Sequence, residues 1–385
     1  MNYLAIKMIM GDRLKYIGLL LGLTFAAMLI TQQMGIFLGY TVRMFSFITD
    51  TPAAQLWVMD PQTKFTEDSK PVSDTAALRV RSVDGVAWAV PMYRGPLNVK
   101  IQGGQNERCV LIGVDDGTLV GGPPKMVEGR IEDLWQTDAV IVEEKAAKTT
   151  LRVREADGSM RGLRVGDTLS INDRSARVVG LCALADAFFW EPVLYTTYSR
   201  ALNYAPPERR QTSFVLAGLK PGSSIENVAK LVESTTGMSA LTNDGFTRMT
   251  TLFVLKKTGI LINFGITVAL GFVIGILVAG QTFYNFVVDN SRHFGSLKAL
   301  GLSNRRLLGM IVVQVLIVGA IGYGLGVGAA SVSGTALRQV GLSFILPKEL
   351  LIGSAVAMLG ICLVAACLGA VRVMRLEPGI VFRGA

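Results

Sequence analysis

The side chains best placed to do chemistry lie in one short polar stretch, Asp289 to Arg306, which reads DNSRHFGSLKALGLSNRR. It holds the only histidine of the chain, His293, and four cations, Arg292, Lys298, Arg305 and Arg306, interleaved with Phe294, Leu297, Leu300 and Leu302. That mixture suits docking: the cations can meet acidic groups or lipid phosphates while apolar side chains fill pockets on a partner. Gly295 and Gly301 bracket a very short predicted helix between them. The plainer reading of the same residues is a surface loop whose cations only set membrane topology.

Catalysis has less support. There is no GxxxxGK[ST] loop, so the chain cannot cradle a nucleotide in that manner, and neither HExxH nor GxSxG occurs. A single histidine excludes His-based metal clusters, and nothing points to a Ser-His-Asp triad. Of four cysteines, Cys362 and Cys367 lie in the last apolar run and read as small packing residues. Cys109 and Cys182 lie in the long region after the first run, where a disulfide is chemically allowed. No catalytic residue, metal or cofactor is expected in this chain.

What must position the polar stretch is a set of membrane-spanning helices. Half of the 385 residues are hydrophobic and only 17% are charged. Four runs reach the roughly 20 residues that a hydrocarbon core demands of a helix: Tyr16 to Tyr40, Gly259 to Val288, Leu307 to Val332 and Leu350 to Val371. The net charge of +9 is unevenly spread: Arg43 to Lys257 carries 26 Lys/Arg against 25 Asp/Glu, so the excess flanks the apolar runs. It is a topology signal, and nucleic-acid binding is not expected. Lys7, Arg13 and Lys15, the 289–306 cations, and Arg372, Arg375 and Arg383 place both termini and that loop in the cytoplasm. The first run is too long for the apolar core of a signal peptide and reads as an anchor. Ionisable side chains are missing from the centres of all four runs, which argues against an autonomous ion-coupled carrier.

Between the first two runs the pattern changes to short β-branched and aromatic segments punctuated by Gly, Pro and Asp. Gln55 to Met59 and Val86 to Pro91 read as strands around a helix over Asp74 to Arg81 capped by Asp74; Asn98 to Ile101 and Arg108 to Val114 read as a hairpin across Gly103-Gly104. Leu163 to Leu181 reads as two strands about an Asn-Asp-Arg-Ser turn. Ser213 to Leu219 reads as a further strand, followed by a helix from Pro221 to Leu231 capped by Ser223 or Ser224. From Phe246 to Val288 the residues allow either one continuous helix or a loop ending at Lys257. The fold class is therefore membrane α-helical, with four transmembrane helices and a large extracytoplasmic mixed α/β domain, a split βαβ sandwich with an inserted β-subdomain, between helices 1 and 2. The division expected is a cytoplasmic or interfacial segment (1–15), spans (16–40, 259–288, 307–332, 350–371), the external domain (41–258, its insert about 120–205), the loop (289–306), an external loop (333–349) and a cytoplasmic tail (372–385). Gly18/Gly22, Gly35/Gly39, Gly271/Gly275, Gly322/Gly326 and Gly324/Gly328 predict close packing between helices.

Arg292 to Arg306 (RHFGSLKALGLSNRR) resembles the R-x-x-E-[IF]-G-x-L-[KR]-A-[LI]-G-x-[ST] loop of the FtsX-like and MacB-like permeases of type VII ABC systems. Arg375 to Gly384 (RLEPGIVFRG) is similar to that family's closing x-x-[DE]-P-x-x-x-[LF]-R segment, and the order of helices and external domain matches as well. His293 stands where family members commonly carry Glu. Lacking a nucleotide-binding domain, the chain resembles separate DevC-like exporter permeases more than a fused exporter. The resemblance implies an ATPase-coupling loop made of Arg292, His293, Phe294, Gly295, Leu297, Lys298, Ala299, Leu300, Gly301, Asn304 and Arg305. It implies a separate ABC ATPase that binds ATP and Mg, a second permease copy in a homodimer, a periplasmic adaptor with an outer-membrane channel, and membrane lipids as partners. The function implied is a non-catalytic permease subunit in the inner (plasma) membrane that couples ATP hydrolysis to motion of its external domain and exports or extracts an amphiphilic or lipid-like substrate. The alternative is a non-transporting mechanotransmitter that regulates an extracytoplasmic enzyme or a sensor kinase.

Overall fold

The computed structural model describes residues 13–101, 106–155, 157–185, 191–257, 259–339 and 342–374. The chain forms two compact units, one of Met1–Tyr40 with Gly259–Ala385 and one of Thr41–Thr258. The described residues begin in α1 (Arg13–Arg43), and the chain then builds the second unit. There α2 (Ser46–Thr49) and β1 (Leu56–Met59) lead to α3 (Ala76–Arg81), the long β2 (Val86–Lys100) and β3 (Asn106–Val114). Next come β4 (Lys125–Glu128), β5 (Ala139–Glu143), α4 (Glu144–Lys148), the small hairpin β6 (Val153–Arg154) and β7 (Met160–Arg161), and β8 (Thr168–Ile171). β9 (Arg174–Ala183), β10 (Val193–Thr197), α5 (Tyr198–Tyr204), β11 (Phe214–Leu219), α6 (Ile225–Thr236), β12 (Ser239–Thr242) and α7 (Asn243–Lys257) complete it.

The antiparallel order β12-β1-β11-β2, with α3 between β1 and β2 and α6 between β11 and β12, is the split βαβ sandwich. Successive side chains of a strand point to opposite faces. Leu56, Val58, Val215 and Ala217 therefore pack with Ala76 and Val80 of α3 and Val228 and Val232 of α6. Trp57, Met59, Phe214 and Leu216 turn the other way, into a core shared with Phe246 of α7. Each fully buried aliphatic or aromatic side chain contributes roughly 1.5–3 kcal/mol to holding these layers together.

β2 serves two bodies. Its residues from Val86 to Met92 pair with β11, and those from Tyr93 to Lys100 pair with β3. The order β3-β10-β5-β9-β8 then returns to β2, where Val99 and Lys100 pair with Ile171 and Ser170. The ring closes and leaves none of its member strands as a free edge, with Leu97, Val99, Leu111, Val142, Ile171, Val178 and Leu194 inside. This insert draws on β3 and half of β2, so it begins well before residue 120. The sequence reading broke this strand into Val86 to Pro91 and Asn98 to Ile101, and it assigned the hairpin to the sandwich because neither segment names its partner strand. The hairpin itself is present, its strands pairing through Lys100 and Asn106, while Gly103-Gly104 lie outside the described residues.

Two local expectations are corrected. Thr75, not Asp74, precedes α3, with no side-chain cap. Ser224 does stand before α6, but its hydroxyl donates to Glu226 Oε2 at 3.1 Å instead of capping the helix backbone. The β8-β9 turn is tight: Asn172 and Asp173 have φ of 46° and 62° and Ile171 pairs with Arg174, the left-handed two-residue turn that Asn and Asp tolerate.

The other unit adds to α1 the helices α8 (Ile260–Asp289), α9 (Ser291–Ala299), α10 (Asn304–Gln339) and α11 (Lys348–Met374). Four of these, α1, α8, α10 and α11, are long and apolar enough to cross a membrane. A continuous helix from Phe246 to Val288 does not form. α7 ends at Lys257, and Gly259, with φ of 68°, opens α8 while its carbonyl accepts from the Asn263 N–H at 3.0 Å. A left-handed residue interrupts a right-handed helix, and glycine takes that conformation without a Cβ clash.

Small residues let these helices approach closely. On α8, Gly271 faces Ile30 and Gly275 faces Ala26; on α10, Gly322 faces Leu23 and Gly326 faces Ala27, so α1 packs against both helices. Gly35 and Gly39 play a different part from the expected one. They seat Phe344 and Ser343, from the segment between α10 and α11, and the Ile345 N–H donates to the Gly35 carbonyl at 3.2 Å.

Candidate docking helix

The polar stretch folds as α9 and the turn after it. Asn290 ends α8: its Nδ2 donates to the Phe286 carbonyl at 2.9 Å, and its backbone N–H donates to the same oxygen at 3.0 Å. α9 starts at the next residue and runs for nine residues, longer than the sequence suggested, with Gly295 in its interior. Its C-terminus closes in a Schellman arrangement. The Leu302 N–H donates to the Leu297 carbonyl at 3.1 Å and the Gly301 N–H to the Lys298 carbonyl at 3.1 Å, with Gly301 at φ of 88°. Leu297 and Leu302 both pack on the helical core, the apolar contact that accompanies this motif. Ser303 then starts α10, its carbonyl accepting from Arg306 and Leu307.

This geometry sorts the expected residues into two faces. Phe294 is 1% exposed and packs among Phe286, Val287, Leu307, Met310 and Ile311; Gly295 is buried too. The apolar side of α9 is thus spent inside the unit, which corrects the expectation that Phe294, Leu297 and Leu302 are offered to a partner. Leu300 alone among the four is presented outward, at 80% exposure. Around it His293, Ala299, Gly301, Asn304, Arg305 and Arg306 are exposed and Lys298 is half-buried. Arg292 lies in the first turn of α9. Among the described side chains of this stretch, the exposed side is therefore basic, with Leu300 as its one protruding large apolar residue. The polar break at Asn290, which separates α8 from α9, falls within two residues of the sequence boundary between the Gly259 to Val288 run and the stretch that starts at Asp289.

Elsewhere, among the described residues, no three His, Cys, Asp or Glu side chains come together to hold a metal ion. Cys109 and Cys182 do not meet. β10 and β5 stand between their strands, each step about 4.8 Å, and the two side chains enter different cores. Burial pushes the Cys109 thiol up to about 12 and the Cys182 thiol higher still, so both are held as neutral packing groups. The expected tail motif, Arg375 to Gly384, and most of the 1–15 segment lie outside the described residues.

Comparison with known proteins adds two family matches. Residues 17–235 match the MacB-like periplasmic core domain, and residues 264–378 match the FtsX-like permease C-terminal domain. Among solved structures, the extracellular domain of the noncanonic ABC-type transporter YknZ from Gram-positive bacteria is 14% identical over 49% of this chain and 98% of its own length, with a TM-score of 0.35. The periplasmic region of MacB from Actinobacillus actinomycetemcomitans is 15% identical over 52% of this chain and 96% of its own, with a TM-score of 0.36.

Proposed function

Since this chain belongs to the FtsX-like, MacB-like family of ABC-type permeases, we propose that it is the membrane subunit of an exporter whose separate ATPase docks on the outward face of α9. The family implies an ABC ATPase as partner, and the four apolar helices make the chain a multi-pass membrane protein. In this reading the ATPase binds ATP and Mg, and its closure moves the external domain of a permease homodimer. The motion exports or extracts an amphiphilic or lipid-like substrate, handed on to a periplasmic adaptor and an outer-membrane channel. The basic flanks orient the protein in the inner membrane with both termini and α9 in the cytoplasm.

The observation that carries the proposal is the split of α9 into a buried apolar face and an exposed basic face bearing Leu300. Because Phe294 and Leu297 root the helix in the bundle, a push on its outer face acts on α8 and α10 as well. The interruption at Gly259 removes the single rigid lever that a continuous helix would have supplied. Motion in the external domain then depends on a joint.

The test is co-purification with the cognate ATPase. Leu300→Asp combined with Arg305→Glu is expected to lower association at least tenfold, while membrane insertion and thermal unfolding stay as in the parent protein. Unchanged association would remove α9 as the docking element.

A further inference from the structure

The ring of the α/β unit carries a groove that the coupling reading leaves unused. It is lined by Pro96 to Asn98 of β2, by the β8-β9 turn from Asn172 to Arg174, and by the segment from Asn203 to Arg210 at and beyond the end of α5. It holds about 850 Å³, within the roughly 300–1,000 Å³ of small-molecule sites. Its parts are already tied together. The Asn172 N–H donates to the Asn98 carbonyl at 3.0 Å, the Asn172 Nδ2 donates to the Tyr204 carbonyl at 2.8 Å, and the Tyr204 hydroxyl donates to the Ser175 carbonyl at 3.0 Å. A site ordered in advance loses little freedom when it binds.

Three exposed arginines line this groove, Arg174, Arg209 and Arg210, and among the described residues none of them forms an ion pair. Each keeps donors free. The Arg174 side chain makes no hydrogen bond to a described residue, Arg209 donates from Nη1 to the Pro96 carbonyl at 3.4 Å, and Arg210 donates from Nε to the Ala205 carbonyl at 3.1 Å. A guanidinium has five N–H donors, so most stay open. A fourth lining cation, Arg108, is already paired with Glu191 at 3.2 Å. Like charges in one groove repel one another, and an anion among them removes the repulsion.

Asp173 and Glu208 line the groove too. They disfavour a polyanion along its length, and they offer acceptors to hydroxyl groups. The guanidinium fork matches phosphate, whose three acceptor oxygens can take several such donors at once, whereas one arginine already satisfies a carboxylate. We propose that this groove binds a phosphate ester on a hydroxyl-bearing body, its phosphate oxygens accepting from Arg174, Arg209 and Arg210 and its hydroxyls donating to Asp173 and Glu208. A lipid headgroup and a soluble phosphate ester share this chemistry. Binding is read with no ATPase present, so this assignment and the docking of an ATPase on α9 can each fail alone.

The test uses the full chain in phosphatidylcholine nanodiscs and isothermal titration calorimetry, with empty nanodiscs as the blank. Inositol monophosphate is expected to bind, and uncharged inositol is not. Tighter binding of dihexanoyl phosphatidylglycerol identifies a lipid headgroup as the source, and tighter binding of inositol monophosphate identifies a soluble ester. Arg174→Gln and Arg210→Gln should each weaken binding of the better probe about tenfold, the loss of a charge-assisted hydrogen bond. Arg152→Gln, at an exposed arginine outside the groove, should leave it unchanged. Circular dichroism melts report that each variant folds. The assignment is overturned if neither probe binds, if Arg174→Gln and Arg210→Gln bind as the parent does, or if Arg152→Gln weakens binding as much as they do. Displacement of the better probe by hexaglutamate at a lower concentration than by the phosphate ester itself would also overturn it, in favour of an acidic protein segment.

Discussion

The indole Nε1 of Trp57 donates a 2.7 Å hydrogen bond to Oδ1 of Asn243, tying the middle of β1 to the first residue of α7. Trp57 is fully buried against Phe47, Phe214 and Phe246, with ring centroids 5.3, 5.6 and 5.4 Å away. The bond fixes where α7 leaves the sheet. It also satisfies an indole N–H that has no access to water.

Asn243→Ala would leave that donor unpaired, which costs about 1–3 kcal/mol. The expected result is a lower denaturant midpoint for the α/β unit of the full chain, followed by tryptophan fluorescence. Asn243→Asp keeps an acceptor oxygen and should recover most of the loss. Equal midpoints for Asn243→Ala and the parent would show that the bond contributes nothing.

Gly326 and Gly328 sit on the same helix and look alike in sequence, yet their surroundings differ. A Cβ at Gly326 would lie 2.6 Å from the Ala27 Cβ and 2.7 Å from the Thr24 carbonyl oxygen, while a Cβ at Gly328 would meet nothing within 4 Å. Gly326→Ala must push α10 away from α1, and overpacking of this kind costs typically about 1–3 kcal/mol. Thermal unfolding in detergent should fall for Gly326→Ala and stay near the parent value for Gly328→Ala.

Gly259 stands at φ of 68° with open space where a Cβ would be, so the obstacle to a side chain there is the backbone conformation alone. Gly259→Ala should destabilise the junction by about 1–2 kcal/mol. Gly259→Asn, which tolerates the left-handed region better, should lose less. Hydrogen exchange at the amides of 260–264 measures the difference; identical exchange in all three proteins would contradict the left-handed junction.

Asp50 accepts a 3.1 Å hydrogen bond from the Ala185 N–H, but burial holds its carboxyl above the usual carboxylate range. A carboxyl raised on folding stabilises the fold fully below its unfolded pKa, and that contribution is lost as pH rises through the folded value. Asp50→Asn should therefore raise the melting temperature at pH 7 and leave it unchanged near pH 3. A rise of equal size at both pH values would trace the effect to packing.

Much of the architecture was legible because membranes and strands impose strong periodic constraints. Tyr16 to Tyr40 and the three later runs could be located by apolar length alone, and they match α1, α8, α10 and α11 with a few residues added at the ends. The βαβ sandwich was readable from strands such as Val86 to Pro91, since alternation records which face is buried. The ring closed by β8 on β2 was not readable, because pairing between Val99 and Ile171 leaves no mark in either strand alone.

The polar stretch from Asp289 to Arg306 divides in the same way. Its sequence by itself determined that it is a charged break between apolar helices, basic enough to orient the chain and similar enough in motif to place it in a permease family. Only the tertiary structure decided which side chains are buried and which stand exposed. Phe294 and Leu300 are both apolar residues of one short segment, yet Phe294 is buried in a cluster that includes Leu307 and Ile311 while Leu300 stands exposed. Burial depends on what lies opposite a side chain, and for α9 the opposite surface is built by helices that the local pattern does not name.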